Sequence, residues 1–206
     1  MNDVYMDIET FVSPCLYENC YLCSFADFSF VVDPSIPYET LKKKNRKPIK
    51  YVLITHAHYD HINELNTYMN RGITFYIGKE DYNKLLDAHL NLSLYIIGKS
   101  WQVDLKNEKV ILVTEKSYKL EEEELEVYET KGHTDGSVSY CIGDALFTGD
   151  FIFKNGVGRM DFPTGSTIDM QKSIEKIKKV FKNKFIDVFP GHGEDTNIQY
   201  IIKYIK

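Results

Sequence analysis

A chain of 206 residues that is 43% hydrophobic and 14% aromatic can bury a sizeable core, and one domain over residues 1–206 is expected. The formal net charge of −5 lacks the basic excess needed to neutralise a phosphate backbone, which disfavours nucleic acid; the basic run Lys42, Lys43, Lys44, Arg46 and Lys47 before Pro48 reads as a solvated loop. No apolar run reaches the roughly 20 residues of a membrane span, the N-terminus with Asp3, Asp7 and Glu9 has no signal-peptide shape, and Cys15, Cys20, Cys23 and Cys141 form no secreted-type framework, so a cytoplasmic protein with reduced thiols is expected.

In chain order, Cys20 to Phe25 and Ser29 to Asp33 read as an antiparallel hairpin closing at Asp33-Pro34. Cys20 and Cys23 make a CxxC, which fits half a zinc ribbon or a redox pair. Within a strand, however, residues three apart point to opposite faces and pack separately. Ile49 to Ile54 is an apolar strand ending at Thr55 and a histidine-rich turn; Ile62, Leu65, Tyr68 and Met69 then recur at helical spacing up to Gly72. Thr74 to Ile77 reads as a strand and Lys79 to Asp87 as a helix. Val110 to Val113 and Leu125 to Glu129 read as strands flanking a solvated acidic turn, Glu121 to Glu124. Ser137 to Ile142 and Ala145 to Phe147 flank Gly143-Asp144, a two-residue hairpin turn. A glycine-rich loop runs from Asn155 to Gly165. Ser166, with Asp169 three residues on, caps a helix whose apolar stripe is Met170, Ile174, Ile177 and Phe181. Phe185 to Phe189 is a last strand, and Thr196 caps a terminal helix carrying Ile198, Ile201, Ile202 and Ile205. The mixture fits two packed sheets with helices outside.

Five of the six histidines fall in turns just after apolar strands, beside glycine or aspartate: His56-Ala57-His58-Tyr59-Asp60-His61, Gly132-His133-Thr134 and Gly191-His192-Gly193. Thr148-Gly149-Asp150 follows another such strand. Imidazole and carboxylate suit zinc and related divalent ions, and turns at strand ends let ligands distant in sequence converge. Four such groups within six residues beside an apolar strand are most simply compensated by an ion. His89 matches none of these patterns and reads as a surface or helix-packing residue.

These motifs, in order and rough spacing, resemble the metal motifs of the metallo-β-lactamase superfamily, and the resemblance covers most of the chain. It implies an α+β fold, an αββα sandwich of two mixed β-sheets with helices on the outer faces. It further implies two divalent metal ions, zinc first and iron or manganese as alternatives. His56, His58 and His133 would hold one ion and Asp60, His61 and His192 the other, with Asp150 bridging; Asp60 and Asp150 count as catalytic, and Asp60 alternatively orients a histidine from outside the ligand set. Two such ions share a hydroxide nucleophile and polarise the carbonyl it attacks.

Gly156-Val157-Gly158-Arg159-Met160-Asp161-Phe162 resembles the glyoxalase II group, which implies hydrolysis of a small-molecule thioester. By that resemblance Arg159 holds an anionic substrate group; its other role is a loop-bracing salt bridge with Asp161. Tyr59 and Phe153 either wall the site or belong to the core. Glyoxalase II carries a further C-terminal helical region that helps hold glutathione, whereas this chain ends at Lys206, so weak glutathione preference is expected. Lys131 and Asp135 stand where relatives commonly have proline, and Ser35 where glycine is usual. A rival within the same resemblance is the persulfide dioxygenase, with one iron at His56, His133 and Asp150, a two-histidine, one-carboxylate triad suited to oxygen chemistry. Lactonase-type hydrolysis and a non-catalytic metal-binding module are lesser alternatives.

Overall fold

The computed structural model describes residues 6–205. The chain runs through β1 (Asp7–Val12), β2 (Asn19–Ser24), β3 (Ser29–Val32), α1 (Tyr38–Lys44), β4 (Ile49–Ile54), the single turn α2 (Tyr59–Ile62), β5 (Thr74–Gly78) and a second single turn, α3 (Ser93–Ile96). It continues with β6 (Lys109–Val113), β7 (Lys116–Leu120), β8 (Glu123–Glu129), β9 (Val138–Ile142), β10 (Ala145–Gly149), β11 (Ile152–Phe153) and β12 (Gly156–Val157). The last elements are α4 (Thr167–Phe181), β13 (Asp187–Pro190), β14 (Thr196–Asn197) and α5 (Ile198–Tyr204). One sheet has the order β1-β2-β3-β4-β5-β6, antiparallel as far as β3 and parallel beyond it. The other has the order β14-β13-β10-β9-β8-β7, antiparallel except for the parallel pair β10 and β13.

Strand alternation sorts the apolar side chains into three layers. Tyr21, Cys23, Phe30, Leu53, Tyr140 and Phe147 meet between the two sheets. Cys20, Leu22, Val52 and Ile54 face the other way, against Leu41 of α1 and against Ile62, Leu65 and Tyr68. On the far side, Leu146 and Val188 pack under Met170, Ile174, Ile177 and Phe181 of α4 and under Ile198 and Ile201 of α5. This is the expected αββα sandwich of two mixed sheets. Cys20 and Cys23 lie in different layers, and all four cysteines are free thiols. No helix among the described residues is long and apolar enough to cross a membrane.

Several local expectations are corrected. The helical spacing at Ile62, Leu65 and Tyr68 is met by α2 and a separate 3₁₀ turn, Leu65–Tyr68, which bury those side chains without a continuous helix. Lys79 to Asp87 gives only a 3₁₀ turn, Tyr82–Leu86, because Asp81 and Lys84 are drawn into a buried polar network. Ser166 does cap α4, accepting from the Asp169 N–H at 3.2 Å, but α5 is capped by Asn197 rather than Thr196. Phe185 lies outside β13 with its ring 88% exposed.

The topology places four turns at one rim. β4 ends at Thr55, β8 hands over to β9 through residues 130–137, β10 ends at Gly149 and β13 at Pro190. The Val138 N–H donates to the Thr55 carbonyl (2.9 Å), which ties the rims of the two sheets together, and the Gly191 N–H donates to the Gly149 carbonyl (2.9 Å), which joins the ends of β13 and β10 within the second sheet.

Candidate metal centre

The four turns bring the seven expected side chains into one cluster. His56, His58 and His133 form one group whose ligand atoms lie within 4.8 Å of one another, and Asp60, His61 and His192 form another; His56, His61 and Asp150 make a third that spans both. His58 Nδ1 lies 2.8 Å from His133 Nε2. His192 Nε2 lies 3.3 Å from Asp60 Oδ2, and His61 Nε2 3.9 Å from the same oxygen. Asp150 stands between the groups: its Oδ2 is 3.5 Å from His133 Nε2, while its Oδ1 is 3.3 Å from His61 Nε2 and 3.6 Å from His192 Nε2.

These residues fit divalent ions on a specific observation. His56 Nε2, His58 Nε2, His61 Nε2 and Asp150 Oδ1 are buried and have no hydrogen-bond partner. A buried polar atom without a partner costs about 1–3 kcal/mol, so the clustered atoms of His56, His61 and Asp150 call for a common partner, and a nitrogen-and-oxygen donor set suits zinc, iron or manganese.

The proton positions on the rings follow from fixed partners. His133 Nδ1 donates to the Arg159 carbonyl (2.7 Å), and His61 Nδ1 donates to Asp33 Oδ2 (2.9 Å). The Thr55 hydroxyl gives its hydrogen to Asp33 Oδ2 (2.7 Å), so its oxygen accepts from His56 Nδ1 (3.1 Å). All three rings are left with Nε2 as the free ligand atom. Asp33 thereby sets the tautomer of a histidine in each group, and its Oδ1 also accepts from the Thr55 N–H at 2.8 Å. Its backbone is left-handed (φ 52°), a strain of the kind that collects at functional sites.

Three further residues brace the turns. Asp81 accepts from the Ala57 N–H (2.7 Å) and the Thr134 hydroxyl (3.0 Å), joining the turn after β4 to the one carrying His133, and the buried Lys84 bridges it to Asp135. Asn19 donates to the carbonyls of Pro190 (3.1 Å) and Gly193 (2.9 Å), which fixes the His192 turn on both sides. Glycine at 191 is required by space: a Cβ there would come within 2.5 Å of both Asp150 Oδ1 and His61 Cε1.

Residues 13–192 match the family model described as the metallo-beta-lactamase superfamily. The chain belongs to this superfamily. It is 31% identical over 190 residues to a probable metallo-hydrolase of Methanocaldococcus jannaschii, covering 81% of this chain and 83% of that protein. It is also 31% identical over 188 residues to the probable metallo-hydrolase YqgX of Bacillus subtilis, covering 87% of each. Among solved structures, the BLEG-1 B3 metallo-beta-lactamase superposes with a TM-score of 0.86 at 27% identity, over 95% of this chain and 96% of that one. Membership of the metallo-β-lactamase superfamily implies divalent-metal binding, and the histidine and aspartate groups supply the donors.

Of the remaining sequence expectations, His89 is exposed in a turn with its N–H on Asp87. The Phe153 ring lies 6.2 Å from that of His192, and Tyr59 packs edge-on against Trp101 at 5.4 Å. The Arg159 guanidinium makes two bonds to Asp161 (2.7 and 2.6 Å) and lies 3.9 Å over the Phe162 ring, while its carbonyl holds His133. Asp33, Asp81 and Asn19 carried no motif of their own; only the Asp33-Pro34 turn marked one of them in the sequence.

Burial holds the His56 and His58 rings well below the usual histidine range. For His61 burial acts in the same direction, but the carboxylates of Asp150 and Asp60 outweigh it and lift the ring well above that range. His61 above all, with His133 and His192, pulls Asp150 below the usual carboxylate range against the opposing effect of its burial. A raised His61 is protonated near neutral pH in the metal-free protein, whereas a metal ligand must be neutral, so metal uptake displaces a proton and affinity falls as pH falls. Calorimetric zinc titration near pH 7 in two buffers of different ionisation enthalpy should therefore show release of at least about one proton per chain. Identical heats in both buffers would contradict this arrangement of charges.

Proposed function

We propose that this metallo-β-lactamase superfamily member is a two-metal hydrolase of small-molecule thioesters. The observation that carries the reading is Asp150, whose two oxygens face different histidine groups, the arrangement a ligand shared by two ions requires. In this reading His56, His58 and His133 hold one ion, Asp60, His61 and His192 the other, and Asp150 both. Zinc is the first expectation, with iron or manganese as alternatives. The similarity to the archaeal and Bacillus relatives, both probable metallo-hydrolases, supports hydrolysis over a purely structural metal.

Such a pair of ions supplies an activated water and an electrophile for the substrate carbonyl. The chain's own residues do the positioning. The bonds from Asp33, Thr55 and the Arg159 carbonyl keep three imidazoles aimed with Nε2 inward, and preorganised ligands cost no reorganisation during reaction. Asp60 Oδ2 lies 3.3 Å from His192 Nε2, where the carboxylate would help hold the second ion and orient the attacking water. A thiolate is a good leaving group, so the chain needs to contribute no strong general acid.

The test is a paired assay on one sample of measured metal content. Thiol release from S-lactoylglutathione and simpler thioesters is followed beside oxygen uptake with glutathione persulfide. Metal-dependent thioester cleavage without oxygen uptake is expected. Oxygen uptake by an iron-loaded sample with no thioester cleavage would transfer the site to the dioxygenase reading, in which one iron sits at His56, His133 and Asp150.

A further inference from the structure

We propose that the substrate's organic portion is apolar and uncharged, and that it is held by aromatic rims on either side of the metal-ligand cluster rather than by an anion clamp. The inference rests on the thioester-hydrolase reading and adds the class of thioester.

On one side the Phe162 ring lies 5.9 Å from that of His58, and Tyr95 meets Phe162 edge-on at 5.6 Å. On the other side Phe153 lies against His192. An aromatic side chain therefore flanks each histidine group. Tyr95 is 72% exposed on the single turn α3, whose N-cap, Leu92, is held in a left-handed conformation (φ 63°). Leu16 and Tyr17, just before Glu18, are both left-handed as well (φ 55° and 59°), yet are 54% and 78% exposed. Glu18 pairs with His192 as an isolated antiparallel bridge, so this segment also borders the cluster. Left-handed backbone costs a non-glycine residue roughly 1–2 kcal/mol, and that two exposed apolar positions bordering the cluster, Leu16 and Tyr17, carry it argues for a use.

The charges at the same rim are already matched. In the loop after Asp150 the two basic side chains are Lys154 and Arg159. Lys154 pairs with Glu194 at 2.5 Å, and Arg159 makes its two-pronged pair with Asp161. Lys131, next to Gly132, lies 3.6 Å from Glu129 and 3.9 Å from Glu80. Each pairing cancels the net charge that would draw in an anion, whatever the strength of an exposed pair. The Arg159 fork is filled by Asp161, so a substrate carboxylate would have to displace a like charge. Its upper face is stacked on Phe162, where it extends the flat apolar wall.

The experiment compares phenylacetyl and acetyl thioesters of one neutral thiol, N-acetylcysteamine, and of glutathione, with the metal-loaded protein. In parallel, calorimetry measures binding of two non-hydrolysable thioethers, S-benzyl and S-methyl N-acetylcysteamine. The phenyl group should raise kcat/KM and binding at least about tenfold over methyl, since even one methylene in an apolar site is worth roughly that much. Glutathione should confer no advantage over N-acetylcysteamine. Tyr95→Ala, on an exposed turn, should shrink the phenyl preference in both readouts, and Tyr95→Phe should restore it. Equal binding of benzyl and methyl thioethers, or preference for glutathione thioesters, would overturn the apolar site. Preferential binding of the benzyl thioether by a protein that cleaves no thioester would uphold the apolar site and overturn the thioesterase reading instead.

Discussion

Asp150→Ala should lower thioester hydrolysis at least about a thousandfold and reduce bound metal from two ions per chain toward one or fewer. The carboxylate has one oxygen on the His133 side and the other on the His61 and His192 side, so its loss removes a donor from both groups at once. It also removes the negative charge between three histidines, leaving their mutual repulsion uncompensated. His58→Ala removes a donor from one group only, and the effect should be smaller. The measurements are kcat with elemental analysis of the same samples. The side chain lies at a turn beyond the end of β10 rather than in one of the apolar layers, so circular dichroism should change little. Wild-type activity with two ions bound would remove Asp150 from the centre.

The second large effect is expected at Asp33. Asp33→Ala strands the Thr55 N–H, the Thr55 hydroxyl and the His61 Nδ1–H in a buried place, at about 1–3 kcal/mol per group before relaxation. Allowing for relaxation, a loss of about 3–5 kcal/mol corresponds to a fall in melting temperature of roughly 6–20 °C for a chain of this size. Metal affinity should drop about 10–100-fold as two imidazoles lose their fixed tautomers. Asp33→Asn separates the two roles. With its carbonyl on the Thr55 N–H it keeps the backbone tie, but it turns a donor toward His61, so metal affinity should fall with a smaller loss of melting temperature. Unchanged melting and metal affinity in Asp33→Ala would show that the network does not govern the site.

The sequence by itself determined the buried strands and the list of metal-ligand candidates. β2 through β5, β9 and β10 are short apolar runs rich in aromatic or β-branched residues and closed by turn residues, a pattern that favours buried strands over helices. The donors crowd into short turns, so their composition alone demanded an ion. Of the strands that escaped, β11, β12 and β14 are two-residue pairings, whereas β1 and β7 are longer strands that each form one edge of a sheet. β1 is half polar and β7 largely so, both are largely exposed, and they are strands because β2 and β8 supply their hydrogen-bond partners, a cause that acts across space.

The same distinction separates the donors from the groups that aim them. A run such as His56 to His61 is visible because its members are adjacent. Asp33 reaches Thr55 and His61, Asp81 reaches Ala57 and Thr134, and Asn19 reaches Pro190 and Gly193 only after the sheets have closed. A single carboxylate or amide at a strand end looks the same in sequence whether it faces solvent or a histidine. Arg159 shows the limit from the other side: Asp161 two residues away made the ion pair foreseeable, but only the packed loop stacked the guanidinium on Phe162 and gave its carbonyl to His133. Local chemistry thus named the donors, and tertiary packing fixed their protons, their aim and the character of the surface around them, because those properties belong to contacts between segments far apart in the chain.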